Sequence, residues 1–294
     1  MDDNDLKLKY EIHNLFRSTH RMTYGKVSSF VPFLIGENIG KSVEGMLVTA
    51  EIIMHHINKA RALDFSLFFR SSIYSNESLG IGKEYIYSEV LPDVILTPCA
   101  GSYGVMWQEI EGRMRNTSAR FVLPILCTGK LENLLLNVLG KFRWELCKRI
   151  QGVYWNNISE KSLTSEYYDY LQFYKKNHDL TETARDKIKS TLINCRNNFS
   201  EFFARDYEQW ILYESGGSSK LNKVTRGMMA KYCPFNKDVR TALCANPSYA
   251  KAFEPYEKNR MAQCRKIELI VKTLDAKNLQ VPKEIRETRA YLNR

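Results

Sequence analysis

The stretch Leu131–Gln151 constrains the fold more than any other. Apolar side chains recur there at helical spacing in two stripes. Leu131, Leu135, Val138, Leu139, Phe142, Leu146 and Ile150 form one, and Gly140, Trp144, Cys147 and Gln151 the other. A helix apolar on two sides belongs between layers of structure, not on a surface. Gly140 weakens a helix, so its place here points to close packing. Arg143 falls beside the first stripe. A buried guanidinium needs a carboxylate or carbonyl partner, so one is expected. Gly152 supplies the stop.

Before this helix the chain reads as mixed. Residues 4–20 have the spacing of a short amphipathic helix, carried by Leu6, Tyr10, Ile12 and Phe16. Gly36–Ser42 reads as a glycine turn ahead of a helix over 43–63. Its glycines are too closely spaced for a phosphate loop. Short apolar runs at 64–74, 93–97 and 120–126 read as strands. Prolines in the runs at 83–98 and 120–126 argue for edge positions or bulges.

After it the pattern is helical. Thr164 or Ser165 can cap a helix ringed by Tyr167, Tyr168, Tyr170, Phe173 and Tyr174. Asp179–Glu182 resembles a capping box, and no Pro or Gly interrupts the run from there to Glu214. One helix of roughly 50 Å is expected over that run. Further helices are expected over 221–235, stopped by Pro234, and from Pro247, broken or kinked at Pro255. Residues 238–245 can form one turn, and the tail EIRETRAYLNR reads as short and charged. The fold class is therefore α+β, mostly α. A small α/β part over residues 1–130, with few buried strands, packs on a long-helix bundle over 131–294, as one continuous unit.

Composition narrows the function classes. Hydrophobic residues make up 44% and charged residues 26%, as in soluble proteins. No uncharged 18-residue run exists, so no transmembrane helix is expected, and the N-terminus carries no signal-peptide core. Seven scattered cysteines without a C-x-x-C pair argue against a disulfide framework and for a reducing cytoplasm. His55 and His56 are adjacent and cannot clasp one ion as an i, i+4 pair does. No metal and no cofactor is expected. The net charge of +10 favours acidic partners, although no consecutive basic run exists.

Two constellations could carry chemistry. Gly101, Ser102 and Gly104 follow a strand, where a loop can turn backbone N–H groups on an anion. Arg113, Arg115 and Arg120 are placed to complete such a site. A tight turn and a solvated basic loop explain the same residues. The second constellation is Asp93, Gln108, Glu109 and Glu111 with Arg113, where paired carboxylates could hold Mg²⁺ for phosphodiester cleavage.

Five segments carry a family resemblance: RALDFSLFFR (61–70), LPDVILTPCAGSYGVMWQEIEGRMR (91–115), GKFRWELCKRIQGVYWNNI (140–158), SLTSEYYDYLQFYKKNHDL (162–180) and KLNKVTRGMMAKYCPF (220–235). Together they resemble a bacterial family of uncharacterised proteins often described as cyclic-nucleotide-binding-domain proteins, because longer members carry that domain elsewhere. The resemblance implies a companion region without the sensor, since the β-roll pattern and its phosphate cassette are missing here. It implies no reaction and no catalytic residues. The expected function is a cytoplasmic regulatory or scaffolding module acting by protein contact. A basic nucleic-acid-binding protein is the alternative, and a divalent-metal-dependent nuclease-like enzyme the second.

Overall fold

The computed structural model describes residues 27–29, 46–107 and 120–294. In chain order its first elements are β1 (Val27–Ser29), α1 (Ala50–Leu63), β2 (Phe69–Asn76), β3 (Ile81–Glu89), β4 (Asp93–Gly101), β5 (Val105–Trp107) and β6 (Arg120–Cys127). Helices α2 (Leu131–Gln151), α3 (Leu163–Phe173), α4 (Glu182–Asn194), α5 (Phe199–Leu212), α6 (Lys223–Tyr232), α7 (Lys237–Leu243), α8 (Pro247–Ala276) and α9 (Lys283–Leu292) follow. The fold is α+β with helices dominant. The helix expected over 4–20 and the turn at Gly36–Ser42 lie outside the described residues. The chain divides into two compact units: residues up to Ala60 with Val90–Phe142, and Arg61–Glu89 with Arg143–Arg294.

The first unit holds a four-stranded sheet in the order β1-β4-β6-β5, parallel except for β5. β4 and β6 sit at its centre, and Val94, Ile95, Leu96, Phe121, Leu123 and Ile125 are buried, as unbroken apolar runs in parallel strands demand. The prolines therefore do not mark edges. A register shift between Thr97 and Ala100 accommodates the chain at Pro98 instead. The outer edge of β6 is shared. β5 pairs with its first residues, and the backbone of Met46 and Val48 bonds to Cys127 and Ile125 near its end, at 2.7 and 2.8 Å. The residues after Gly104 form the short strand β5.

In the second unit, β2 and β3 form an antiparallel hairpin. Phe65, Phe69, Ile81 and Ile86 pack there with Ile267, Val271 and Leu274 of α8 and Ile285, Tyr291 and Leu292 of α9. The Tyr87 N–H donates to Thr288 Oγ1 at 3.0 Å, so α9 covers the free edge of β3. The charged tail is thus a core helix: Ile285 and Thr288 are fully buried. The 50 Å helix is divided. α4 ends at Asn194, Arg196 and Asn197 adopt φ of 51° and 57°, and Asn198 caps α5. Left-handed residues cannot continue an α-helix. Ser162, not Thr164 or Ser165, caps α3, in a reciprocal pair with Ser165. Thr181, not Asp179, caps α4. α8 runs through Pro255 without a break in the helix.

Candidate functional site

Of the expected anion site, Gly101, Ser102, Gly104 and Arg120 lie among the described residues, and Arg120 is not beside Gly101. Arg113, Arg115, Gln108, Glu109 and Glu111 lie outside the described residues. Asp93 and Arg120 are register partners where β4 and β6 begin, while Gly101 pairs with Cys127 where they end. Eight residue steps along β4 separate the two places, about 26 Å at 3.3 Å each. Arg120 thus sits with Asp93 and apart from Gly101, and both partners are buried. Ser102 is exposed at the turn. Gly104 has a packing role. A Cβ there would lie 2.6 Å from Val138 Cγ2 and 2.8 Å from Leu123 Cδ2. The Gly104→Ala variant is expected to lose about 1–3 kcal/mol by overpacking, whereas Gly101→Ala, which meets nothing within 4 Å, is expected to be near neutral. Urea midpoints of the two variants check this. Among the described residues, no group of three His, Cys, Asp or Glu is placed to hold a metal ion.

Arg143 has the partners its position demanded. Its Nη1 donates to the Phe69 carbonyl at 3.1 Å and its Nη2 to the Tyr232 carbonyl at 2.6 Å. The guanidinium also faces Asp64 and Cys233. Asp64 is fully buried; its Oδ1 accepts from the Ser66 N–H at 2.9 Å and hydroxyl at 2.7 Å, and its Oδ2 from Tyr207 at 2.9 Å. Burial raises the Asp64 carboxyl above its ordinary range against the opposing pull of Arg143, Ser66 and Tyr207. Burial likewise pushes the Cys233 thiol up to about 12, which keeps it protonated and inert.

Glu214 is a second buried carboxylate, and the sequence offered no sign of it beyond a place at a helix end. Its Oε2 accepts from Arg226 Nε and the Tyr249 hydroxyl, each at 2.7 Å. Its Oε1 accepts from the Lys220 and Leu221 N–H groups at 2.6 and 2.7 Å. Burial alone would raise this carboxyl, but Arg226, the Leu221 N–H and Tyr249 outweigh it and hold the group below its ordinary value. The Glu214 cluster pairs its carboxylate with four donors, whereas in the Arg143 cluster the guanidinium Nε is buried without a hydrogen-bond partner.

The surface beside α2 is different. Ile150, Val153, Tyr154 and Ile158 follow one another along the chain at 40%, 84%, 58% and 47% exposure. Their backbone is firmly held. Gly152 reverses the chain with φ of 58°, and the Asn157 side chain accepts from the Ser159 N–H at 3.0 Å. Lys161 is left-handed at φ of 47°, and its carbonyl accepts from the Tyr232 hydroxyl at 2.7 Å. From below, Trp155 anchors the ridge. Its ring stands edge-on to Trp144 at 6.3 Å and to Tyr168 at 5.3 Å, and its carbonyl accepts from Thr164 at 2.7 Å. Trp144 in turn meets Tyr167 and Phe203, so the ring pile beneath is core. The aromatic residues of α3 and the turn after it divide accordingly: Tyr167, Tyr170 and Tyr174 are buried, while Phe173 faces outward. Lys148 lies over the Trp155 ring at 4.9 Å, and Arg149 and Lys161 flank the ridge in sequence.

A family model described as a domain of unknown function (DUF8509) matches residues 152–291. The matched stretch begins within the ridge, after Ile150, and contains Tyr167 and the Glu214 cluster, but neither Asp64 nor Arg143. No curated protein and no solved structure matches the chain. No helix among the described residues is long and apolar enough to cross a membrane.

Proposed function

We propose that this chain is a cytoplasmic regulatory or scaffolding module that acts by protein contact, and that the ridge Ile150–Val153–Tyr154–Ile158 is its contact surface. The observation that carries the reading is the combination of exposure and support: four large apolar side chains face water from a backbone whose turns are all hydrogen-bonded. Contiguous exposed apolar side chains mark contact sites. A surface already held in one conformation loses little entropy when covered. Tyr154 is the anchor, because aromatic residues dominate the energetics of protein interfaces. The free cysteines among the described residues fit a reducing compartment, and the companion-region resemblance points the same way.

The test is affinity capture from the source cytoplasm with the wild-type chain and with a Val153→Asp/Tyr154→Asp variant. The substitutions are expected to leave the unfolding free energy in urea within about 0.5 kcal/mol of wild type. They are expected to weaken retention of a stoichiometric protein by roughly 30-fold or more, the equivalent of one hot spot. Equal retention by both chains overturns the reading. Retention that disappears after nuclease treatment favours nucleic acid instead.

A further inference from the structure

The two edges of the β2–β3 hairpin differ. On the β3 side α9 covers the edge, where the Tyr87 N–H donates to Thr288 Oγ1. Tyr87 is the register partner of Ser71, and Tyr85 of Ile73. In an antiparallel pair, opposite residues either bond each other or both turn their backbone groups outward. Tyr87 points outward, so Ser71 does too, and so does Ile73 two residues on. Phe69 shows the same direction: its N–H donates to the Ser66 carbonyl at 2.9 Å, and its carbonyl accepts from Arg143. Phe69 is therefore already bonded at one end of β2, and a register shift between Tyr74 and Asn76 interrupts the other end. Ser71 and Ile73 lie between these limits. Among the described residues, neither makes a backbone hydrogen bond outside the hairpin. Ile73 is 64% exposed and its cross-strand partner Tyr85 60%. From Ser71 to Ser75 the strand carries no charge and no proline to blunt its edge.

We propose that this edge docks a second copy of the chain: two β2 strands pair antiparallel about a two-fold axis at Ser72 and join the hairpins into one four-stranded sheet. The open stretch is its own complement. With the axis at Ser72, Ser71 of each copy faces Ile73 of the other. The two outward N–H and two outward C=O groups of each copy are then all bonded, in four hydrogen bonds. An axis at Ser71 would instead set Ile73 against Phe69, whose groups are taken. An axis at Ile73 would set Ser71 against Ser75, where the register shifts. A two-fold contact must also avoid opposing like charges. Arg70, the one charged residue of β2, falls opposite Tyr74 of the second copy, and the uncharged Ser72 opposite itself. The exposed Ile73 gains a neighbouring strand as cover. The edge lies on a different element from the ridge, so the pairing stands without the protein contact proposed above.

Sedimentation of the full chain over a wide concentration range tests the pairing. The wild type is expected to pass from one chain to two as concentration rises. Ile73→Pro removes one outward N–H per copy, and so two of the four bonds, and is expected to weaken the pairing roughly ten-fold or more. The hairpin does not use that N–H, so the variant should keep the wild-type circular dichroism. Ser72→Cys reads the register without disturbing the edge. Facing residues of a non-bonded antiparallel pair stand about 4.5 Å apart at Cα, within disulfide reach. Mild oxidation should therefore link position 72 to itself, as read by mass spectrometry of the joined peptides, whereas Ser75→Cys, which falls opposite Phe69, should give no such self-link. A wild type that stays a single chain at every concentration overturns the proposal. So does a dimer that survives Ile73→Pro unchanged or forms no link through position 72. A dimer that Val153→Asp/Tyr154→Asp dissociates instead belongs to the ridge and overturns it as well.

Discussion

Glu214→Ala is expected to destabilise the second unit by about 3–5 kcal/mol, the cost of leaving a buried ion without its partner. The substitution strands several donors at once. Arg226 is 7% exposed and loses both hydrogen bonds that neutralise it. The N–H groups of Lys220 and Leu221 and the hydroxyl of Tyr249 lose their acceptor in the same step. Trp144, Trp155 and Trp210 all belong to this unit, so tryptophan fluorescence in urea reads its transition. The pH dependence gives an independent check. The folded Glu214 carboxyl lies below its unfolded value of 4.5, so its contribution is fully present above that value and is lost as pH falls through the folded one. The wild type should lose stability over that acid range, and Glu214→Ala should lose less, because its deficit is already present at neutral pH. A fully additive Arg226→Met/Glu214→Ala double variant would show that the pair is not coupled.

The parts of the fold that were legible in the sequence are those fixed by local pattern. Leu131–Gln151 reads as a two-sided apolar helix, and Trp144, Leu139 and Phe142 are buried on it. Arg143 could be read as a charge needing a partner because its neighbours along the helix were apolar, but that the partners are the Phe69 and Tyr232 carbonyls could not. What escaped depends on contacts distant in sequence or on backbone conformation without a strong marker. Arg196 and Asn197 end a helix with no Gly or Pro to announce it; the run Asn197-Asn198 was the available signal, since Asn tolerates the left-handed region and caps helices well. The tail looked charged because Lys283, Glu284, Arg286, Glu287 and Arg289 surround its core face, yet Ile285, Thr288 and Leu292 recur at helical spacing and close over the hairpin. The Glu214–Arg226 pair joins residues whose meeting depends on a turn at Gly217, with φ of 83°, that composition marked only as linker-like.

The candidate site was less legible still, for a physical reason. Apolar residues in a sequence report a tendency to be covered, not what covers them. Val153 and Tyr154 have the same character as Tyr167 and Leu171, and only the tertiary arrangement sends the first pair to water and the second to the core. The Gly101–Gly104 loop shows the converse. Its two glycines looked alike in the sequence, but side chains from β6 and α2 fill the space beside Gly104 while the space beside Gly101 is open.

Arg143→Met is the variant expected to do most damage around the hairpin, again about 3–5 kcal/mol. Methionine fills similar volume, so the loss is electrostatic rather than a cavity. Two carbonyls, of Phe69 and Tyr232, lose their donor, and Asp64 loses the positive charge it faces. The Asp64 carboxyl is already raised by burial, and without Arg143 it rises further. Its folded form then holds a proton that the unfolded chain gives up near 3.8, so the deficit of the variant should grow as pH rises through the window above that value. Adding Asp64→Asn removes the charge and should restore part of the stability while flattening this pH dependence. Arg143→Lys separates the two roles: it keeps the charge, but a compact ammonium cannot replace a planar fork bonded to two carbonyls. An intermediate loss is expected, with the Asp64 pH dependence close to wild type. Urea titrations of these variants, of Asp64→Asn alone and of the wild type across the acid-to-neutral range provide the measurement. Should Arg143→Met and Asp64→Asn prove additive within about 0.5 kcal/mol, the two charges are not coupled and Arg143 acts through its carbonyl bonds alone.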